Sequence, residues 1–402
     1  MHYKRLLTWI DGSSSYLSVG LDVGADFTWM SIALPNGAFI GKPFKIVHSD
    51  PRSRDLAVTK IKEAQETYSL KSRCFLESTG IYHIPLLCFL RDKGFDCSVI
   101  NPIITKNSTN INIRKLHNDK FDSKKAALVG LNVSLKTSII PEDSIVDLRN
   151  LVRDYYYFKD LQSAVALKLT AELKVSFPAY AKVFSKVTTQ SSLKLLSSYP
   201  LAGDMLEASK DDIVETIRST ARFGEAYALR KYDAVIAAAQ DASVFGRALP
   251  SNAVRIRLYI DTYQEYQKHL DALLKALHET VERLQDTLIY DQICLLQSLR
   301  GIGFLSAVVL IAEMGDFKLF PSPKKLYAYF GLDPAVKQSG KLNGDKVHMS
   351  KRGSSLARRV LHMVALNNVK VDKGSGTPVN PVIYDYYTSC LLYTSDAADD
   401  KA

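Results

Sequence analysis

The chain of 402 residues is long enough for two or three domains. At 47% hydrophobic and 23% charged it has the balance of a globular protein with substantial cores. Its net charge of +10, from 52 basic and 42 acidic side chains, points to a polyanionic partner, nucleic acid before membrane surface, and no run approaches the ~18 apolar residues of a membrane span. The five cysteines, Cys74, Cys88, Cys97, Cys294 and Cys390, form no CxxC pair. Such a scattered, odd set argues against a disulfide framework or a zinc site and fits a reducing cytoplasm. The N-terminal MHYKRLLTWIDGSSS has too short an apolar run for a signal peptide.

Residues 16–34 alternate in polarity and favour β-branched and aromatic types, Pro35-Asn36-Gly37 signals a turn, and AFIGKPFKIVH continues as a strand. Together they predict a β-meander. PRSRDLAVTKIKEAQETY, with Pro51 near its start, predicts a helix. RCFLEST (73–79) is a short apolar strand broken by Gly80; IPLLCFLRDKG predicts a helix with Pro85 early and Gly94 late, and FDCSVINP (95–102) another strand. An Asn-rich polar loop and a helix around Asp119–Val133 complete a mixed α/β domain over residues 1–140.

The texture then changes. Leu151, Tyr155, Phe158, Leu161, Val165, Leu169 and Leu173 recur at three or four, as do Tyr263, Tyr266, Leu270, Leu273, Leu277, Val281, Leu284 and Leu288. Both series predict long amphipathic helices with near-heptad spacing, pairing with each other or across a dimer. The stretch 176–250 between them reads as helices with loops, and residues 141–294 as a helical coiled-coil region. A compact basic segment follows over 295–389. From Phe317 to Val360 ten Lys or Arg stand against two Asp, a local excess of +8 that holds most of the chain's net charge.

The chemistry begins at HNDKFDSKK (117–125). Asp119 and Asp122 lie three apart, on one helix face, where like charges repel. A solvated face is the ordinary reason for such a pair; a divalent cation between the carboxylates is the sharper one. Asp22 lies within the first apolar strand, in VGLDVG, where a carboxylate is costly unless paired or metal-bound. Gly20 and Gly24 beside it would let other backbone approach closely. Glu77 ends a strand, in FLESTG, with Arg73 as an alternative ion-pair partner. Acids on neighbouring strands followed by a helical pair have the layout of an RNase H-like two-metal nuclease.

GLDVG, FLESTGIYH, INP and NDKFDSKKAALVG resemble the DEDD transposases, a group that includes the pilin-gene-inverting recombinases, whose N-terminal domain is of the RuvC type. The resemblance maps the four metal-binding, catalytic acids onto Asp22, Glu77, Asp119 and Asp122, with Mg²⁺ or Mn²⁺ as the cofactor. Asn118 stands where the family has Thr, and Ser123 where it has Ala.

In LLQSLRGIGFLSAVVLIAEMGDF (295–317), Gly301 and Gly303 separate two apolar helical stretches. This resembles a helix–hairpin–helix, whose backbone N–H groups meet phosphate; a plain tight turn is the alternative. Beyond it, Lys337, Lys341, Lys351, Arg352, Arg358 and Arg359 are interspersed with Gly, Ser and Tyr, a composition suited to nucleic-acid backbone, with a solvated basic face as the alternative. The blocks GIG, AEMGD, GLDP, QSG, SKRG and LARR match the same family's C-terminal domain. There the serine of QSG is associated with nucleophilic catalysis, which implies that role for Ser339. Ser350, Ser354 and Ser355 read as phosphate contacts or helix caps.

The resemblance implies a DNA recombinase acting on donor and target DNA, with a structured guide RNA in some members, as a homodimer or homotetramer in a bacterial or archaeal cytoplasm at the nucleoid. The alternatives are a junction endonuclease that uses water and a non-catalytic nucleic-acid-binding protein. After NPVIYDYYTS the chain reads CLLYTSDAADDKA, where the family continues with a basic helix; residues 390–402 read as a non-native tail.

Overall fold

The computed structural model describes residues 15–77, 81–100, 119–132, 143–220, 224–315, 317–334 and 348–390, and as backbone also 338–339, 342–343 and 391–399. The chain divides into two compact units, residues 1–140 and 141–402. No helix among the described residues is long and apolar enough to cross a membrane.

In the first unit, β1 (Tyr16–Val23), β2 (Phe27–Ala33) and β3 (Phe39–Val47) form the expected antiparallel meander. β4 (Lys71–Glu77) joins β1 in parallel and β5 (Asp96–Ile100) joins β4 in parallel, giving the order β3-β2-β1-β4-β5. This mixed sheet is compatible with an RNase H-like domain. Helices α1 (Pro51–Tyr68) and α2 (His83–Asp92) cover one face. Asp50 caps α1 by accepting the Arg52 N–H, and Pro51 follows at the first turn. Helix α3 (Asp119–Asn132) covers the other face. The Asn-rich loop, Gly80, and the departures at Asn118 lie outside the described residues.

Alternation along β1 sorts its side chains. Leu17, Val19, Leu21 and Val23 are buried under α1 and α2. Tyr16, Ser18, Gly20 and Asp22 therefore face α3. That face is built for close approach. Ser18 Oγ donates to the Ala127 carbonyl at 2.6 Å, and Ser31 and Ser123 share a hydrogen bond of 2.8 Å. A Cβ added to Gly20 would lie 2.1 Å from the Ser123 carbonyl oxygen and 2.2 Å from the Ala127 nitrogen.

In the second unit, α4 (Asp143–Ser176) and α9 (Pro250–Glu282) run antiparallel. Gln162 bonds Gln267 at 2.9 Å, Phe158 meets the rings of Tyr266 and His269, and Arg255 pairs with Glu172 at 2.8 Å. The two periodic helices thus pair within one chain. Between them lie α5 (Gln190–Ser198), α6 (Ala202–Glu207), α7 (Lys210–Arg218) and α8 (Glu225–Phe245), around a core that includes Phe177 and Tyr180. The expected single helix through Leu284 and Leu288 is two. It ends at Glu282, Asp286 takes a left-handed φ of 66°, and Thr287 caps α10 (Leu288–Ser298) by accepting the Tyr290 N–H. The apolar spacing survives the break because Leu284 packs on the core that α10 also joins.

That core unites the start of α4 and the end of α9 with α10, α11 (Phe304–Met314) and α13 (Ser355–Asn368), with α12 (Pro323–Tyr329) against it. Glu313 is buried at its centre, 3% exposed, and accepts both nitrogens of the Arg153 fork at 2.8 and 3.0 Å. Arg149 donates to the adjacent Ala312 carbonyl at 2.8 Å. Burial raises the Glu313 pKa, but Arg153, Ser354 and Arg149 outweigh it and hold the carboxyl below its ordinary value. A depressed pKa contributes stability that is present above the unfolded value and lost as pH falls through the folded one. Arg153→Ala should lower the unfolding free energy by about 2–3 kcal/mol at neutral pH. The deficit should shrink in acid as Glu313 protonates, measured by urea midpoints across pH.

Candidate acidic and basic sites

Asp22 and Glu77 sit one residue beyond the paired Leu21 and Leu76, at the ends of neighbouring parallel strands. Both are half-buried. Glu77 is the last residue of β4, and Arg73, its possible partner, pairs instead with Asp96 at 2.7 Å. Asp119 and Asp122 occupy the first turn of α3 on the same face of the sheet. The close packing at Gly20 brings that turn over the end of β1.

The electrostatics register the convergence. Asp22 is pushed up to about 7, first by burial and then by the charges of Asp122, Asp119 and Glu77, while Lys125 opposes the rise. Four carboxylates therefore share one field. Among the described residues, no three His, Cys, Asp or Glu side chains form a closed metal-binding group. The donors are all carboxylate oxygens, the ligand type of hard divalent cations, and their mutual repulsion is what such a cation relieves.

Sequence reasoning missed the neighbours of this site. Trp29 on β2 pairs in register with Asp22, and Lys120 Nζ lies 4.6 Å above its ring. Counting back from the turn between β1 and β2 would have placed Trp29 there. A groove of about 520 Å³, lined by Ile40, Phe44, Lys60 and Tyr68 among others, lies between β3 and α1, on the other face of the sheet.

In the second unit, Gly301 has a φ of 84°, and a Cβ there would meet the buried Asn368 side chain at 2.5 Å. Gly303 is the N-cap of α11. The GLDP and SKRG blocks interlock. Ser350 donates to Asp333 at 2.6 Å, the Lys351 N–H reaches the Gly331 carbonyl at 3.0 Å, and a Cβ on Gly353 would lie 2.0 Å from the Tyr329 carbonyl oxygen. Lys351, at φ 55°, and Arg352 are exposed on this turn. Arg358 instead donates to the Phe330 and Gly353 carbonyls, at 2.9 and 2.8 Å. Arg359 pairs with Asp160 at 2.8 Å and stacks on Tyr156. Ser354 caps α13 through the Ala357 N–H. Ser339 lies in β6 (Gln338–Ser339), paired with β7 (Leu342–Asn343). Lys337 and Lys341 lie outside the described residues.

Two family models match the chain. One for DEDD transposases of the IS110 type, described as "Transposase", matches residues 19–178, and one described as "Transposase IS116/IS110/IS902 family" matches residues 294–380. "Putative transposase y4qE" of Sinorhizobium fredii is 30% identical over 121 residues, 29% of this chain and 31% of that protein. "Insertion element IS110 uncharacterized 43.6 kDa protein" of Streptomyces coelicolor is 32% identical over 83 residues, 20% of each chain. The matched stretches thus span a third or less of these relatives' lengths.

An elevated pKa in the fold means that metal-free stability falls as pH rises from the ordinary carboxylate range through about 7. Asp22→Asn should therefore stabilise the chelator-treated protein above pH 7, by on the order of 1–2 kcal/mol after allowance for solvent screening. The gain should vanish below pH ~3, under the ordinary aspartate value, where Asp22 is protonated in both states. Thermal melts in chelator at the two pH values check this.

Proposed function

The chain belongs to the IS110-type DEDD transposase family, and on that premise we propose that it cuts and rejoins DNA strands with a divalent cation held by Asp22, Glu77, Asp119 and Asp122 and with Ser339 as the nucleophile. The observation that carries the reading is the shared field at Asp22, whose carboxyl is raised by all three of the other acids. The donor set fits Mg²⁺ or Mn²⁺, which when bound supplies charge neutralisation for phosphoryl transfer. The first unit then has the role of an RNase H-like catalytic domain.

The residues divide the work. The four carboxylates set where the cation and the scissile phosphate meet. Lys125, close enough to oppose the rise at Asp22, adds positive charge beside them. Ser339 Oγ loses its proton and bonds to phosphorus, and the bond from phosphorus to the 3′ oxygen breaks, leaving a 3′ hydroxyl and a phosphoserine. Attack by that hydroxyl, or by one from another strand, reverses the exchange and releases the serine. Short β6–β7 pairing gives Ser339 a defined backbone. Lys351 and Arg352, presented by a braced turn, are the phosphate contacts of the second unit together with Lys337 and Lys341. Arg358 holds that turn, and Arg359 contacts Asp160 unless DNA displaces it. The loop at Gly301 and Gly303 is a further backbone contact. On the family premise the working unit is a homodimer or homotetramer on donor and target DNA, guided by a structured RNA.

Wild-type protein with Mg²⁺ and its DNA should give a covalent protein–DNA adduct on a denaturing gel. Ser339→Ala and Asp22→Ala should each lower strand transfer on the order of 10³-fold or more while retaining DNA binding within about twofold. Adduct formation by Ser339→Ala, or strand cleavage by wild type with no adduct, would overturn the nucleophile assignment; the second result is that of a hydrolytic endonuclease.

A further inference from the structure

The face of the first sheet that carries Asp22 also carries a row of rings and cations. Phe27, Trp29 and Phe39 are half-buried there, with Phe39 packed beside Ala33 against the α3 core. Each has an ammonium over it: Lys45 above Phe27 at 4.0 Å, Lys120 above Trp29 at 4.6 Å, and Lys124 above Phe39 at 5.0 Å. Lys45 is paired in register with Trp29, which is itself paired with Asp22. Lys120 and Lys124 stand one turn apart on α3, with about 6 Å between such positions. That spacing is close to the separation of successive phosphates in an extended strand. The Asp22–Trp29–Lys45 register runs from the acids to the edge strand β3.

We propose that this row is a track for unpaired DNA, whose bases stack on Trp29 and its neighbouring rings while Lys45, Lys120 and Lys124 take the phosphates. The assignment rests on the reading that the four acids act on DNA, since it supplies the strand that leads to them. Alternating rings and cations are the usual means of holding single strands without reading sequence: every base has a stacking face, and every nucleotide has a phosphate. In the free protein each lysine covers a ring. A base that takes its place on the ring moves the ammonium towards the adjoining phosphate. A duplex, whose bases are already stacked and paired, gains nothing from the rings.

The test uses the full chain with Trp9→Phe, which leaves Trp29 as the sole tryptophan. Oligothymidylate, oligouridylate and a duplex of the same length are titrated at constant salt. Binding is followed by anisotropy of a labelled strand and stacking by Trp29 emission. Single-stranded DNA should quench Trp29 saturably, in step with binding, and the duplex should not. Trp29→Ala should weaken single-strand binding about tenfold and Trp29→Phe much less. Replacing all three lysines with Ala should lower the salt slope by about 2. Binding without quenching, equal quenching by duplex, or quenching by RNA alone would overturn the track. These readouts need no strand cutting. Quenching that persists where strand transfer fails condemns the catalytic reading and leaves the track in place, and the reverse result does the opposite.

Discussion

One steric constraint shapes the first unit: the absence of a side chain at Gly20. With 2.1 Å from the place of a Cβ to the Ser123 carbonyl oxygen, only glycine lets α3 lie against β1. Ser18, Ser31, Ser123 and Ala127 complete the contact with short side chains and two hydrogen bonds. Larger residues would lift the helix by an ångström or more, at a cost of about 1–3 kcal/mol in overpacking. The first turn of α3 would rise with it. The separation of Asp119 and Asp122 from Asp22 is therefore decided two residues before Asp22, by a group that is missing.

The second unit uses a different device for a similar end. Its glycines at 331 and 353 allow two turns to press together, backbone on backbone. Arg358 fastens them from the helix behind, and Glu313, with Arg153 and Ser354, fastens that helix to the long α4. Lys351 is thereby held in a left-handed conformation that a free lysine would avoid. A loop composed of charge, Gly and Ser would ordinarily be mobile. Here it is braced from three sides.

Much of the fold was legible in the sequence where local physics decides. The meander followed from alternation and the Pro35-Asn36-Gly37 turn, α1 from Pro51, and the two long helices from their apolar spacing. Period alone could not show that the spacing of α9 crosses a break at Glu282, because Leu284 keeps its place in the core through a turn instead of a helix. Strand alternation and helix spacing placed each of the four acids on a face. Their surroundings were not legible, because Trp29 and Lys120 meet only through strand register and helix docking. The basic segment was the hardest to read. Composition counts Arg358 and Arg359 as charge, whereas their hydrogen bonds to carbonyls and to Asp160 depend on contacts far apart in the chain.

Asp119 and Asp122 stand in the first turn of an α-helix. Aligned peptide dipoles give that end a partial positive charge of roughly half a unit, worth about 0.3–1 kcal/mol to a nearby carboxylate. The peptide dipoles of α3 thus offset part of the repulsion among the acids. Crowded anions at a helix C-terminus would meet the opposite polarity, so the direction in which this helix runs is itself part of the acid site.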